Sequence, residues 1–189
     1  MKKMMVPFFF LAIVSISCKN KAAQTSKIAL AKEYYAVLNT SDHSRIPLIL
    51  ADSIITKEID YSMRYSQADY VEFLKWDAVF EPEYSILDIK QVNGTVEAKV
   101  SKKDQRILFL HEAPTVTHEV IRFAGNKITH VEINAYVIFD DTIFSKNREM
   151  LLDWVDKHHP ELNGFLYDQT EQGGLNYLKA IKLYNTANQ

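Results

Sequence analysis

Residues 84–101, YSILDIKQVNGTVEAKVS, decide the fold class of this chain. Thr95–Ser101 alternates between apolar and polar side chains, which is the period of a β-strand with one buried face. Tyr84–Val92 is a second strand-like segment, and Asn93-Gly94 between the two is a dipeptide preferred in tight hairpin turns. The stretch therefore predicts an antiparallel β-hairpin.

More strands are predicted after this hairpin. They cover Arg106–Glu112, Thr115–Phe123 and Lys127–Phe139, and short turns separate them, as in an antiparallel meander. Before the hairpin, the period is mostly helical. Ser26 is predicted to cap a first helix through Leu38, residues 43–50 form a short second helix, Ile54-Ile55 begins a strand, and Ser66 with Asp69 resembles a capping box that opens a third helix.

Two further helices are predicted near the end of the chain, one from Ser145 to about Lys157 and one from Thr170 to about Tyr184. Helices followed by a long antiparallel sheet make an α+β domain. The sequence thus predicts N-terminal helices packed on a curved antiparallel sheet, with two additional C-terminal helices.

This order of elements resembles the nuclear transport factor 2-like superfamily, also called SnoaL-like or cystatin-like. The resemblance covers residues 27–139, and it rests on the element order, on KEYYAVLNTSDHSRIPLILAD at residues 32–52 and on INAYVIFD at residues 133–140. It implies a cone-shaped pocket between three helices and the concave face of the sheet. Residues 140–189 are then a helical extension of the same domain, which either plugs the mouth of the cone or clasps its outside.

The N-terminus indicates where the protein resides. Residues 1–18, MKKMMVPFFFLAIVSISC, combine two lysines, a short apolar run and small residues, as secretory signals do. The apolar run is shorter than the roughly 20 residues needed to span a bilayer. Cys18 is the only cysteine of the chain, and its position resembles the acylated cysteine of a bacterial lipobox. We therefore expect a signal peptide over residues 1–17, a lipid on Cys18 and a tether over residues 18–26.

Composition excludes several classes of function. The formal net charge of −2 does not favour a nucleic-acid partner. A single cysteine rules out an internal disulfide. The sequence contains no nucleotide-binding motif, no GxSxG and no HExxH, so no cofactor is predicted. The expected location is the bacterial cell envelope, with the membrane as a partner through the lipid.

Aromatic residues on the helical side are the candidate ligand-binding residues. They would line an apolar pocket with phenol donors, as in many small-molecule sites, or they would simply pack in the core. These residues are Tyr34, Tyr35, Tyr65, Trp76 and Phe80.

Three residues are candidates for catalysis. Asp77 is one by resemblance alone, since enzymes of this superfamily often hold a carboxylate or histidine inside the cone. His130 and Glu132 share the polar face of the last strand, where they would act as a base and its orienter. That face is alternatively solvated or buried in a homodimer, and a β-bulge would swap its side chains.

Two other features have competing interpretations. His111 and His118 flank the turn around Pro114, so they would either form a zinc pair or make ordinary polar pairs at a sheet edge. Gly173-Gly174 near the start of the last helix would either approach an anion or allow close packing.

Three functions are consistent with the sequence. The preferred one is a non-catalytic envelope lipoprotein that binds a small apolar ligand or a protein partner. The second is a SnoaL-like isomerase, cyclase or hydrolase that uses a carboxylate or histidine in the cone. The third is a dimeric scaffold that pairs through its exposed sheet face.

The lipid anchor can be tested directly. Cys18→Ser removes the thiol that would be acylated, so the variant should move from the membrane to the soluble fraction when cells are fractionated. A variant that is still cleaved but remains in the membrane would contradict the lipobox interpretation.

Overall fold

The computed structural model describes residues 18–188, with side chains from Lys27 onward. The predicted signal peptide lies outside the described residues, and so does the side chain of Cys18. The helices are α1 Cys18–Thr40, α2 Ile46–Ile49, α3 Gln67–Ala78, α4 Gln105–His111, α5 Asp141–His158 and α6 Glu171–Ala187. The strands are β1 Leu50–Glu58, β2 Tyr61–Ser66, β3 Glu83–Val92, β4 Thr95–Lys103, β5 Thr115–Ala124 and β6 Lys127–Ile138.

The six strands form one sheet in the order β2-β1-β6-β5-β4-β3. Neighbouring strands are antiparallel except for β1 and β6, which are parallel, so the sheet is mixed. The hairpin predicted from residues 84–101 is confirmed, and both Asn93 and Gly94 have positive φ, as a tight turn between right-twisted strands requires. The α+β class with helices packed on this sheet is also confirmed.

Strand β2 was not predicted from the sequence. Its residues are mostly exposed, because it lies at the edge of the sheet. Tyr61, Met63 and Tyr65 do alternate with polar residues, but the pattern spans only six residues and directly precedes the cap of α3.

The predicted strand Arg106–Glu112 is wrong, since these residues form α4. Asp104 caps this helix by accepting a hydrogen bond from the backbone N–H of Ile107 at 2.5 Å. Ile107, Leu110 and His111 are buried at helical spacing. A helix of only seven residues has too few turns for its period to be recognised in the sequence.

Most other helix signals are confirmed. Ser66 accepts a hydrogen bond from the N–H of Asp69 at the start of α3, and Thr170 caps α6. Helix α5 begins at Asp141, with Asp140 as its cap, a few residues before the predicted Ser145. Helix α1 begins at Cys18 and not after Ser26 as predicted. Residues 18–26, the predicted tether, are therefore part of this helix.

Two hydrophobic clusters make up the core. The first joins α1, α2 and α3 to the concave face of the sheet, and Tyr35, Ile54 and Ile121 are among its buried residues. The second joins the end of α3 to α4, α5 and α6, around Trp76 and Phe80. We call the space between the concave face and helices α1–α3 the cone. We call the end of this space that lies beside the last turn of α3 its wide end, or mouth, and the second cluster covers it.

No helix within residues 18–188 is both long and apolar enough to cross a membrane. The C-terminal helices instead pack on the rest of the domain. Gly174 of α6 lies against α3, where an added Cβ would be 3.0 Å from the carbonyl oxygen of Trp76 and 3.2 Å from Cβ of Val79. The structure therefore favours the close-packing interpretation of this glycine.

Gly174→Ala tests that packing. The added methyl group should lower the free energy of unfolding by about 1–2 kcal/mol, because overpacking outweighs the gain in helix propensity. Urea denaturation measures it. Leu175→Ala, at the next and exposed position of α6, is the control and should change stability much less. A more stable Gly174→Ala protein would show that the two helices are not tightly packed.

Candidate functional site in the cone

A buried ion pair lies at the wide end of the cone. The carboxylate of Asp77 is 2.6 Å from Nζ of Lys102, and the two side chains are 7% and 19% exposed. The hydroxyl of Tyr84 donates a second hydrogen bond to Asp77 at 3.0 Å. The site thus brings a helix end and two neighbouring strands together through one carboxylate.

The sequence places Lys102 here by simple alternation. Val96, Ala98 and Val100 of β4 point into the core, and Lys102 is the next residue on that face. Its ammonium also lies 4.9 Å from the centre of the Tyr84 ring. Asp77 reaches it from the last turn of α3.

Asp104 and Arg106 extend the ion pair toward the C-terminal helices. One oxygen of Asp104 is 3.6 Å from Lys102 and 3.6 Å from Arg106. The guanidinium of Arg106 lies 4.8 Å from the centre of the Trp76 ring and 5.2 Å from that of Phe80. Two anions and two cations therefore neutralise each other where the two hydrophobic clusters meet.

A second buried carboxylate, Glu119, lies deeper on the concave face. It accepts hydrogen bonds from the hydroxyls of Tyr35 and Thr117, both at 2.8 Å. Burial raises its pKa, and these two hydrogen bonds only partly oppose the change. Tyr34 and Tyr70 share a hydrogen bond nearby, and burial raises the pKa of both phenols.

The pKa of Asp77 moves in the opposite direction. Burial by itself would raise it, but the charges of Lys102 and Arg106 and the hydrogen bonds from Lys102 and Tyr84 outweigh burial and lower it. Asp77 is therefore an ionised, fully paired carboxylate, whereas Glu119 is the carboxylate that holds a proton more readily than usual.

Comparison with solved structures identifies the architecture. A protein from Kribbella flavida superposes with a TM-score of 0.53 at 15% identity, over 67% of this chain and 96% of that one. An NTF2-like protein from Burkholderia xenovorans gives 0.50 at 11% identity, over 66% and 96%. This is the nuclear transport factor 2-like fold.

IdmH from Streptomyces antibioticus, which has been proposed to be a polyketide cyclase, also shares the nuclear transport factor 2-like fold. Its TM-score is 0.50 at 10% identity, over 65% of this chain and 98% of that one. No protein-family model matches the chain, and no curated protein matches it in sequence. At these identities the likeness establishes the fold and leaves the function open.

Of the five residues predicted to bind a ligand, four lie in α1, in α3 or just after α3. Tyr65 lies instead on strand β2 and packs against Tyr70 and Phe73 of α3, so its placement on the helical side is wrong. Four are buried, and Tyr65 is half-buried. None of the five lines either of the two cavities that stand out in the described part of the chain, which are on the outer surface. Their role in binding remains a prediction. These residues are Tyr34, Tyr35, Tyr65, Trp76 and Phe80.

His130 and Glu132 share the outer, convex face of the sheet, away from the cone. Both carboxylate oxygens of Glu132 accept hydrogen bonds from Arg122, at 2.6 and 3.1 Å, and these bonds lower its pKa. Nδ1 of His130 lies 3.0 Å from the Thr129 hydroxyl instead. The structure therefore does not join the two as a base and its orienter.

The predicted face assignment of the last strand holds only in part. The pairing of β5 with β6 has three register shifts, and one of them falls between the pairs His118–Ala135 and Glu119–Ile133. After that shift the two faces of β6 are exchanged relative to the prediction. Tyr136, predicted on the polar face, pairs with inward-facing Thr117, and Ala135, predicted on the apolar face, is exposed.

Of the two interpretations of His111 and His118, the zinc pair does not fit the structure. His111 is buried in α4, and its two ring nitrogens contact the carbonyl of Ala113 and the N–H of Asp140. His118 is exposed on the outer face of β5. The pair depended on a strand at residues 106–112 that is a helix. Within the described residues, no three His, Cys, Asp or Glu side chains are placed to hold a metal.

Of the main site residues, Asp77 was singled out from the sequence, while Lys102 and Glu119 were missed. Both had a visible signal, because each continues an alternating apolar face: Lys102 after Val100, and Glu119 before Ile121. Burying a charged side chain at a core position costs free energy unless the charge is paired. A charged residue in such a position therefore indicates a buried partner.

The opposite pKa changes predict opposite effects of pH. Folding raises the pKa of Glu119. The folded state is therefore stabilised by protonation of this side chain below its ordinary pKa of 4.5, and this stabilisation is lost as the pH rises. Folding lowers the pKa of Asp77. The folded state is therefore stabilised by ionisation of this side chain above its ordinary pKa of 3.8, and this stabilisation is lost as the pH falls.

Urea denaturation of Glu119→Gln and Asp77→Asn across pH 3–8 measures both effects. The stability lost in Glu119→Gln should shrink as the pH rises above 4.5. The loss in Asp77→Asn should be about 3 kcal/mol at neutral pH, since Lys102 is left unpaired, and should shrink in acid. A loss in Glu119→Gln that does not change with pH would contradict the raised pKa.

Proposed function

We propose that this protein is a non-catalytic binding protein of the bacterial cell envelope, held to the membrane by a lipid on Cys18. The closed cone is the observation that supports a non-catalytic function. Trp76 and Phe80 at its wide end pack against α6, and Tyr177 is the buried side chain that contacts Phe80. Asp77 lines neither of the two cavities that stand out in the described part of the chain.

The charges of the cone support the same conclusion. Asp77 is held ionised by Lys102, and its other oxygen is hydrogen-bonded to Tyr84. A carboxylate whose pKa is lowered by such pairing is a weak general base. The ion pair therefore acts as a structural link between α3 and β4.

Binding is then assigned to the outer surface. The convex face carries exposed polar and charged side chains, including His118 and Arg122. One of the two surface cavities opens on this side of the sheet, next to His130. The anchor assignment draws its support from the sequence of residues 1–18.

An enzyme with a mobile cover is the second candidate. In its favour, the pKa values of Asp77 and Glu119 are pushed apart within one cone, an arrangement that acid–base catalysts use. This candidate requires α5 and α6 to leave the cone mouth in the working protein.

Fluorescence quenching distinguishes the two candidates. The chain has two tryptophans, so Trp154→Phe leaves Trp76 as the only indole. In the lipidated protein in detergent, acrylamide should quench Trp76 weakly, because this side chain is 6% exposed beneath α6.

The matched control is Trp76→Phe, which leaves the half-buried Trp154. Trp154 should be quenched more strongly than Trp76. If acrylamide reaches Trp76 as readily as Trp154, the cone is open to small molecules, and the proposal of a closed binding protein fails in favour of the ligand-carrying or enzymatic cone.

A further inference from the structure

The parallel ladder between β1 and β6 is interrupted near its start. Leu50 pairs with Ile128, and the next pair is Ile55 with His130, so β1 advances five residues while β6 advances two. The extra residues of β1 bulge out of the ladder. The side-chain amide of Gln67 in α3 approaches the carbonyls of Leu50 and Ala51, at 3.2 and 3.4 Å, which ties the bulge to the helix.

This interruption opens a cavity of about 400 Å³ on the outer surface. Ile55 pairs with both His130 and Arg64, so these three side chains share one face of the sheet, opposite the core residue Ile54. The cavity is lined by Ala51, Asp52, Ser53, Ile55, Arg64, Thr129 and His130.

Within the described residues, the polar groups of this cavity are only lightly engaged. Arg64 makes a single long contact, 3.4 Å from Nη1 to the hydroxyl of Ser53, and no carboxylate lies within 4 Å of its guanidinium. His130 uses Nδ1 for Thr129, and Nε2 has no protein partner there. On the same face Arg122 is paired with Glu132, whereas Arg64 keeps its guanidinium available to a ligand.

We propose that this cavity binds a small hydroxylated anion, a carboxylate or a phosphate. An arginine guanidinium matches the two oxygens of such a group, and the His130 ring adds a further nitrogen. Ser53 supplies a hydroxyl donor, while the carboxylate of Asp52 accepts from a ligand hydroxyl. The Thr129 hydroxyl already donates to the carbonyl of Arg122 at 3.2 Å, so it lines the cavity without adding a donor. The volume suits a small molecule and not a polymer. The inference rests on the proposed function only for placing binding on the outer face.

Isothermal titration of the lipidated protein in detergent tests this site. The probes are glycerol 3-phosphate, glycerate and glycerol, at constant ionic strength. They carry a phosphate, a carboxylate or no charge on a similar hydroxylated frame. Saturable binding of at least one anion at millimolar concentration, with no binding of glycerol, is the expected result, and the stronger anion identifies the ligand class.

Arg64→Gln keeps a polar side chain but removes the charge, and it should weaken that binding by about tenfold or more. Lys179→Gln, which removes a charge from the other surface cavity on α6, should leave binding unchanged. Arg64 is exposed, so its variant should unfold at the same temperature as the parent.

Three results would overturn the inference: no saturable binding of either anion, equal binding of glycerol, or full binding by Arg64→Gln. None of them depends on whether acrylamide reaches Trp76. If neither anion binds while Trp76 is shielded, the anion site is wrong and the closed binding protein stands. If an anion binds while Trp76 is exposed, the anion site stands and the closed cone is wrong.

Discussion

Asp77 and Lys102 place opposite charges where water scarcely reaches, and the arrangement of the cone follows from that contact. Each charge would be costly to bury alone, and together they connect the last turn of α3 to the end of β4. The neighbouring Arg106 stacks on Trp76 and Phe80, which are the residues that α6 covers. Charge neutralisation inside the cone and closure of its mouth are therefore parts of one structural arrangement.

About a third of this chain lies outside the superpositions with its structural neighbours. The superpositions extend over nearly all of each neighbour but about two thirds of this chain. Here α5 and α6 bury a second hydrophobic cluster at the wide end of the cone. Asn147 of α5 adds a hydrogen bond to the carbonyl of Leu110, which fixes α4 against the extension. An interior that could serve as a binding pocket is thus used as protein core.

Much of this fold could be predicted from local sequence patterns. The Asn93-Gly94 turn, the alternation of Thr95–Ser101 and the Ser66 cap act over a few residues, so the sequence shows them directly. The incorrect predictions concern segments whose secondary structure is determined by tertiary contacts. Helix α4 depends on the Asp104 cap and on burial against α5. Strand β2 alternates over only six residues, and its place in the sheet depends on pairing with β1. Bulges in β6 exchanged its faces, which no period-two count can reveal.

The site was harder to predict because it is defined by partners far apart in the chain. Asp77 was named by its location, but its role depends on Lys102, and their association requires α3 to end over β4. His130 was predicted as a base, and the structure places it instead at a cavity that a five-against-two register shift creates. Such a shift depends on how β1 pairs with β6, a pairing of strands that lie far apart in the sequence.

We infer that α5 and α6 are a fixed part of the core and not a movable cover. Native-state hydrogen exchange of the lipidated protein tests it directly, by comparing the backbone amides of Tyr177 and Leu178 in α6 with that of Val100 in β4. If the account is correct, these amides exchange with the same free energy, because the helices open only when the whole domain unfolds. Exchange in α6 at a much lower free energy, while β4 stays protected, would contradict it.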